Sequence, residues 1–267
     1  MNIGPLVVGG GQPCALIAEL SNNANGKFEN AIRLLDGLKA AGASAAKLQC
    51  YTVQELIDLR GDGPAPAQWS HMTMRELYSR AATPFDWFAP LYKHAASIGL
   101  PIFSSVFGRD SLALLESIGN SCYKIAALDN GSDSLHAVVC ATGKPVLVSV
   151  RRDEGALQRS LWTFYGDSVE FLLCPEGYPQ RPESFALQEA DFECGAYDNG
   201  SPVFLGVSSH CLDPRLPIAA VARGARLLEY HVQLDDEPSV LEQNVSLTVS
   251  QFAAMVRDVR ATEVLLG

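Results

Sequence analysis

Two lysines lie inside short apolar runs, where a charged side chain is costly to bury. Lys47 stands in Ala-Lys-Leu and Lys124 in Tyr-Lys-Ile. An unpaired ammonium group in an apolar strand has a high desolvation cost, so both lysines are expected to face a shared polar cavity. Two converging lysines indicate an anionic ligand: a carboxylate, a phosphate or both. The alternative, that each lysine forms a buried ion pair with a neighbouring glutamate, stays open.

Two histidines also end apolar runs, late in the chain. His210 and His231 follow neighbouring predicted strands, so their imidazoles can meet. Two neutral imidazoles with a carboxylate and open positions suit a divalent transition metal; two satisfied core histidines are the alternative. His71, His94 and His136 fall in predicted helices or loops and are expected at the surface.

The elements that position these residues alternate along the chain. Strands are predicted over 14–19, 45–49, 101–105, 122–125, 145–149, 169–174, 203–208 and 227–231. Helices are predicted over 27–41, 72–80, 84–98, 109–118, 134–142, 154–165, 214–223 and 249–262, with a weaker one near 182–189. Alternation of this kind predicts an α/β protein with a parallel sheet. Eight units in 267 residues predict a single (β/α)8 TIM barrel, which needs roughly 250 residues.

Two segments fall outside this alternation within the single domain predicted over residues 1–267. Residues 1–11 are expected to form an N-terminal extension or plug, and residues 50–83 a long active-site loop with a Gly- and Pro-rich tip. No Gly-x-Gly-x-x-Gly follows the first predicted strand, which counts against a dinucleotide-binding fold.

Bulk properties narrow the class of partner. The net charge of −10 argues against a nucleic acid or a membrane surface, because phosphates would be repelled. The start lacks the pattern of a signal peptide, and no apolar run reaches the roughly 18 residues of a membrane span. The seven cysteines are scattered without a CxxC pair, which favours reduced thiols in a cytoplasmic protein.

Eight short motifs carry a family resemblance. In chain order they are Ile17-Ala18-Glu19-Leu20 with Asn23, Ala46-Lys47-Leu48-Gln49, Phe103-Ser104-Ser105-Val106-Phe107, Tyr123-Lys124-Ile125-Ala126, Gly143-Lys144-Pro145, Cys174-Pro175-Glu176-Gly177-Tyr178-Pro179, Gly206-Val207-Ser208-Ser209-His210 and Glu229-Tyr230-His231. Over about residues 14–260 the sequence resembles the barrel domain of the N-acetylneuraminate (sialic acid) synthase family. The small C-terminal antifreeze-like domain of that family is expected to be lacking.

The resemblance implies a metal-dependent synthase. Such an enzyme condenses phosphoenolpyruvate with a sugar-like aldehyde, gives a 2-keto-3-deoxy acid and releases phosphate. It implies a divalent metal on His210 and His231, typically Mn²⁺, with Mg²⁺ or Co²⁺ as alternatives, and a homo-oligomer, a dimer in the family.

The resemblance also assigns roles to individual residues. The catalytic residues that it implies are Glu19, Lys47, Lys124 and Asp129. The substrate-binding residues that it implies are Asn23, Gln49, Ser105, Ser149, Glu176, Tyr178, Ser208 and Glu242. Among these, Lys47 and Ser105 map to the carboxylate of the donor, and Lys124 with Ser208 to its phosphate.

Departures from the family pattern concentrate at the phosphate site. Ala127 stands where the family has serine, and Glu176 where it has a neutral polar residue. A carboxylate beside a phosphate is repelled unless a cation intervenes, a role open to Arg151 or Arg152. Two alternatives therefore stay open: an aldolase-type enzyme that uses pyruvate or another keto acid, and a non-catalytic relative that binds a ligand.

Overall fold

Eight parallel strands close a barrel within residues 1–192 and 203–267, which the computed structural model describes. The barrel strands are β3 (Ala15–Glu19), β4 (Ala45–Cys50), β5 (Ile102–Val106), β6 (Tyr123–Ile125), β7 (Val146–Val150), β8 (Val169–Leu173), β9 (Gly206–Ser209) and β10 (Leu227–Gln233). Each strand pairs with the next along the chain, and β10 pairs with both β9 and β3. The predicted (β/α)8 barrel is confirmed.

The outer layer is helical. Its helices are α1 (Phe28–Ala41), α2 (Val53–Arg60), α3 (Met74–Ala81), α4 (Phe85–Ser97), α5 (Arg109–Ser117), α6 (Asp133–Cys140), α7 (Gly155–Tyr165), α8 (Arg215–Ala222) and α9 (Val249–Leu266). A short strand, β11 (Ser246–Thr248), lies beside β10. The sequence did not predict α2, which begins at a capping box between Thr52 and Glu55.

The weak helix predicted near 182–189 is wrong. The chain instead forms two 3₁₀ turns, Pro182–Phe185 and Glu189–Phe192. Between them Ala186 has a φ of 41°, which a continuous α-helix excludes. The carbonyls of Phe185 and Ala186 accept hydrogen bonds from Arg152, so this segment is tied to the chain beyond β7.

The inward faces of the strands change character along the barrel axis. Near their amino ends they are apolar, and a single buried cluster joins Ala15, Ile17, Ala45, Phe103, Cys122, Leu147, Leu172 and Leu227. A hairpin of β1 (Asn2–Ile3) and β2 (Leu6–Val7) packs Ile3 and Val8 into this cluster. One or two positions further along each strand, the inward side chains become polar.

The three histidines predicted at the surface differ in burial. His71 is exposed and His94 half-buried, but His136, expected at the surface, is only 3% exposed. Its Nδ1 lies 2.9 Å from the Tyr165 hydroxyl, which replaces solvent for the ring.

Cysteines 14, 50, 122, 140, 174 and 211 are free thiols, and Cys194 lies outside the described residues. No helix in the described part of the chain is long and apolar enough to span a membrane.

Candidate active site

A cavity of about 930 Å³ opens at the carboxyl end of the barrel. Residues at or just beyond the ends of all eight barrel strands line it, as expected where the active sites of such barrels lie. From the predicted set, the lining includes Lys47, Gln49, Ser105, Lys124, Ser149, Glu176, Tyr178, Ser208, His210, His231 and Glu242.

Lys47 is held in a buried network of opposite charges. Its ammonium group contacts the Glu19 carboxylate, lies 3.4 Å from Glu229 and donates to the Ser105 hydroxyl at 3.2 Å. Burial alone would lower the pKa of Lys47, but attraction to Glu19 and Glu229 outweighs it and raises that pKa. The sequence left open a buried ion pair for each lysine, and for Lys47 this is the arrangement.

Lys124 differs from Lys47. Its ammonium group donates to the Ser149 hydroxyl at 2.7 Å and to the carbonyl of Ile125 at 3.1 Å, and within the described residues it has no carboxylate within ion-pair distance. Burial lowers the pKa of Lys124. A buried ammonium group with neutral partners is a site for an anion, since an anionic ligand would offset the cost of burying the charge.

The two predicted metal-binding histidines meet at the cavity wall. The ring centroids of His210 and His231 are 5.0 Å apart. Burial and the neighbouring imidazole lower the pKa of His210 to about 3, so that ring is neutral near pH 7. Burial alone would lower the pKa of His231, but attraction to Glu242 raises it.

Glu242 orients this pair. One carboxylate oxygen lies 3.2 Å from Nδ1 of His231, and the other accepts a hydrogen bond from the Tyr178 hydroxyl. Burial would raise the pKa of Glu242, but His231 lowers it to about 2. The Tyr178 ring lies 4.5 Å from the His210 ring, so Tyr178 packs against His210 while Glu242 holds His231.

The donor set fits a divalent transition metal. With Nδ1 of His231 engaged by a carboxylate, its Nε2 is left to bind a metal, which is the usual arrangement of metal-binding histidines. No group of three or more His, Cys, Asp and Glu side chains across 1–192 and 203–267 is placed to hold a metal. The candidate metal ligands are thus the two imidazoles of His210 and His231.

Three of the predicted site residues do not line the cavity. Glu19 is fully buried against Lys47 and accepts from the Ser21 backbone at 2.6 Å. Asn23 donates to the Val232 carbonyl and to the Ser246 hydroxyl. Asp129 is clamped by two 2.8 Å hydrogen bonds from Arg60. The structure thus gathers the predicted set into one region but turns Asn23 and Asp129 to other partners.

Several lining residues escaped the sequence-based prediction. Arg60 and Trp69 come from the segment between β4 and α4 and line the cavity. The capping box at Thr52 could have located the helix that carries Arg60. Of the two arginines considered as phosphate ligands, Arg151 lines the cavity, whereas Arg152 is bound by Asp191 and backbone carbonyls.

A (β/α)8 barrel with a buried lysine facing two oriented imidazoles defines a barrel enzyme with a candidate metal centre. The sequence model of the NeuB family matches residues 34–267, and the chain belongs to that family. The resemblance to sialic acid synthases is thereby confirmed.

Three relatives illustrate the match. Over 260 residues the chain is 31% identical to a pseudaminic acid synthase of Campylobacter jejuni, covering 94% of this chain and 74% of that one. It is 26% identical to the human N-acetylneuraminate-9-phosphate synthase over 268 residues, covering 97% and 73%. A Leptospira borgpetersenii sialic acid synthetase structure superposes with a TM-score of 0.83 at 22% identity, covering 100% and 90%, and supports the fold.

Proposed function

We propose that the protein is a synthase that condenses phosphoenolpyruvate with the aldehyde of a sugar-like acceptor. The methylene carbon (C3) of the donor bonds to the aldehyde carbon, and water adds to C2, the carbon that carries the phosphate. The bond between C2 and the phosphate oxygen then breaks. Phosphate and a 2-keto-3-deoxy acid result, and of the two protons of the water one ends on the aldehyde oxygen and the other on the released phosphate.

One observation carries the proposal: a buried lysine suited to an anion and two imidazoles suited to a metal line the same cavity. Among the described residues Lys124 donates hydrogen bonds only to neutral groups, whereas the rings of His210 and His231 lie side by side and Glu242 contacts His231. A reaction between an anionic donor and a carbonyl acceptor needs both features.

The proposed roles follow from the contacts. Lys124, with the hydroxyls of Ser149 and Ser208 in the same lining, holds the anionic donor. Lys47 stays positively charged between Glu19 and Glu229, and supports the donor carboxylate through Ser105.

The metal centre is assigned to His210 and His231. A divalent metal there, Mn²⁺ by preference with Mg²⁺ or Co²⁺ as substitutes, supplies Lewis acidity toward the aldehyde oxygen. Glu242 keeps His231 in position, and the Tyr178 hydroxyl keeps Glu242 in position. We further propose a homodimer as the working state.

The test is phosphate release from phosphoenolpyruvate with Mn²⁺ and a panel of aldoses that includes N-acetylmannosamine. Aldose-dependent release is expected, together with a 2-keto acid product whose mass is that of both substrates plus water less phosphoric acid. EDTA should abolish release and added Mn²⁺ restore it. Lys124→Met should lower kcat/KM by about 10²-fold or more, whereas the exposed Lys93→Met should not.

A different donor is the alternative that one observation favours. Glu176 and Ala127 line the same cavity, and a carboxylate there repels a phosphate. Consumption of pyruvate with an aldose, without turnover of phosphoenolpyruvate, would replace the first proposal with an aldolase. Turnover of neither donor by metal-loaded protein would identify a ligand-binding relative.

A further inference from the structure

Gln180 is a buried polar residue near the candidate metal centre. It lies in the connection between β8 and β9, two residues beyond Tyr178, and is 5% exposed. Its side chain does not line the cavity. A buried amide is costly unless its donors and its acceptor are hydrogen-bonded, so the partners of Gln180 indicate what it holds in place.

Gln180 binds both main-chain polar groups of His210. Its backbone N–H donates to the His210 carbonyl at 3.3 Å, and its side-chain Oε1 accepts from the His210 backbone N–H at 2.7 Å. One residue therefore binds the main chain of a candidate metal ligand twice. Since the direction of a side chain is coupled to the backbone that carries it, these two bonds fix where the imidazole of His210 projects.

The other half of the amide reaches the preceding strand. The Nε2 of Gln180 donates to the carbonyl of Pro175 and contacts the Cys174 sulfur at 3.5 Å. Cys174 directly follows β8, and its backbone N–H donates to the Val150 carbonyl at 2.9 Å, so this end of the bridge is anchored in the barrel. The Gln180 side chain thus links the end of β8 to the residue that follows β9.

Strand pairing gives the two candidate ligands different support. In the described part of the chain, β9 pairs with β10 and with β8, but neither ladder extends beyond Ser209. His231, by contrast, lies inside β10 and pairs with β3 on one side and with β11 on the other. The backbone of His231 is therefore held by the sheet, whereas that of His210 is held by Gln180.

The segment before Gln180 packs closely against it. Gly177 has a φ of 124°, a conformation that favours glycine, and a Cβ there would lie 3.3 Å from the Cα of Gln180. The next residue, Tyr178, packs its ring 4.5 Å from that of His210 and donates a hydrogen bond from its hydroxyl to Glu242. Gln180 therefore anchors a segment that packs on one imidazole and, through Glu242, reaches the other.

We infer that Gln180 is a positioning residue for the metal centre, because its hydrogen bonds to the main chain of His210 set how that imidazole meets the imidazole of His231. The inference rests on the metal assignment in the proposed function, and Gln180 acts on the metal only through His210. Without these bonds the His210 backbone samples further positions, and only a fraction of the molecules presents both imidazoles together. The apparent metal affinity falls in proportion to that fraction.

Titration calorimetry with Mn²⁺ tests the inference without turnover. Gln180→Met keeps the length of the side chain but removes its hydrogen-bonding groups, and it should bind Mn²⁺ about tenfold more weakly than the parent. In the Co²⁺-loaded protein, the visible d–d bands of Gln180→Met should also shift, because they report the geometry of the ligands around the metal. Gly177→Ala, whose added Cβ presses on Gln180, should weaken Mn²⁺ binding too, and it keeps the test decisive if Gln180→Met does not fold.

Gln158→Met is the matched control. Gln158 is fully buried and donates to the Val203 carbonyl at 2.6 Å, but it lies on α7 and does not line the cavity. Loss of a buried hydrogen bond should lower the urea midpoint of both glutamine variants. The Mn²⁺ affinity and the Co²⁺ spectrum of Gln158→Met should nevertheless match those of the parent, whereas a purely structural role for Gln180 would make the two variants alike.

The outcomes separate this inference from the synthase proposal. Parent-like Mn²⁺ affinity in folded Gln180→Met or, where that variant does not fold, in Gly177→Ala overturns the inference. An equal loss in Gln158→Met, or a parent that binds no Mn²⁺, overturns it as well; phosphate release that persists in EDTA would then leave a synthase without this metal centre. If Gln180→Met weakens Mn²⁺ binding as expected but neither donor is turned over, the synthase proposal fails while Gln180 keeps its role.

Discussion

Glu242 acts on the candidate metal centre through its contacts with neighbouring side chains. It contacts Nδ1 of His231 with one oxygen and the Tyr178 hydroxyl with the other. Because both carboxylate oxygens have partners, Glu242 acts on the orientation and basicity of the imidazole. Partners of this kind govern metal affinity without binding the metal.

Replacing this carboxylate tests its role. Glu242→Gln should weaken Mn²⁺ binding by about 10- to 100-fold, because the amide keeps the shape but loses the charge that attracts His231. Titration calorimetry with Mn²⁺ measures the change. Glu237→Gln, in the same connection and paired with the exposed Lys27, should bind as the parent does. Equal affinities in all three proteins would contradict the assignment.

Elements are joined across the cavity by pairs that sequence patterns do not reveal. Arg60, at the end of α2, binds Asp129 in the turn after β6. The carboxylate is 1% exposed and the guanidinium 21%, and the guanidinium also lies over the rings of Tyr78 and Phe107. Removal of one partner leaves an uncompensated buried charge.

A double-mutant cycle measures this pair. Arg60→Leu and Asp129→Leu should each lower the free energy of unfolding by about 3–5 kcal/mol, and the double variant by much less than their sum. Urea denaturation gives the values. Strictly additive losses would show that the pair does not couple α2 to the barrel. Retained activity in the double variant would also remove Asp129 from the catalytic residues.

We expect the free energy of unfolding to depend on pH through His136, which lies on α6. Burial lowers the pKa of His136, and Tyr165 on α7 holds its Nδ1; Asp129 and Asp133 are the acids that act on it. Because the folded-state pKa lies below the unfolded value near 6.5, the unfolded state binds more protons as pH falls. The stabilisation is complete above about pH 6.5 and is lost below it.

Comparison with His136→Gln isolates this group. Between pH 7.5 and 5.5 the parent should lose more stability than the variant, with a slope difference of at most about 1.4 kcal/mol per pH unit. Urea midpoints at three pH values give the slopes. Parallel slopes would mean that the ring is protonated equally in both states.

The strands could be predicted because a strand that is buried on both faces consists of a short apolar run. In this chain such runs end in polar residues, as at Lys47 and His231. The segment after β4 could not, since α2 depends on the Thr52–Glu55 capping box and on Arg60 reaching Asp129. Likewise, the sequence patterns around Lys47 and Lys124 are similar, and they predict the same kind of surroundings for both lysines. Only their three-dimensional neighbours, two carboxylates for one and hydroxyl and carbonyl oxygens for the other, separate them.

At the scale of the whole molecule, the residues that stabilise the barrel and the residues suited to chemistry lie at opposite ends of its axis. The amino end of the barrel is closed by the β1–β2 hairpin, whose Ile3 is fully buried with Phe103 and Leu147. The carboxyl end holds the cavity and its charges. A division of this kind is a property of the fold, and it makes the two ends separable by mutation.

The hairpin provides the test. Ile3→Ala should lower the free energy of unfolding by about 2–5 kcal/mol, because it removes buried methyl groups and leaves a cavity among large side chains. Val7→Ala, in the same hairpin but 51% exposed, should change it by no more than about 0.5 kcal/mol. Affinity for Mn²⁺ should be the same in both variants and the parent at a temperature where all are folded. Loss of Mn²⁺ affinity in folded Ile3→Ala would mean that the apolar cluster at the amino end positions the imidazoles through the barrel, and that stability and chemistry are coupled along its axis.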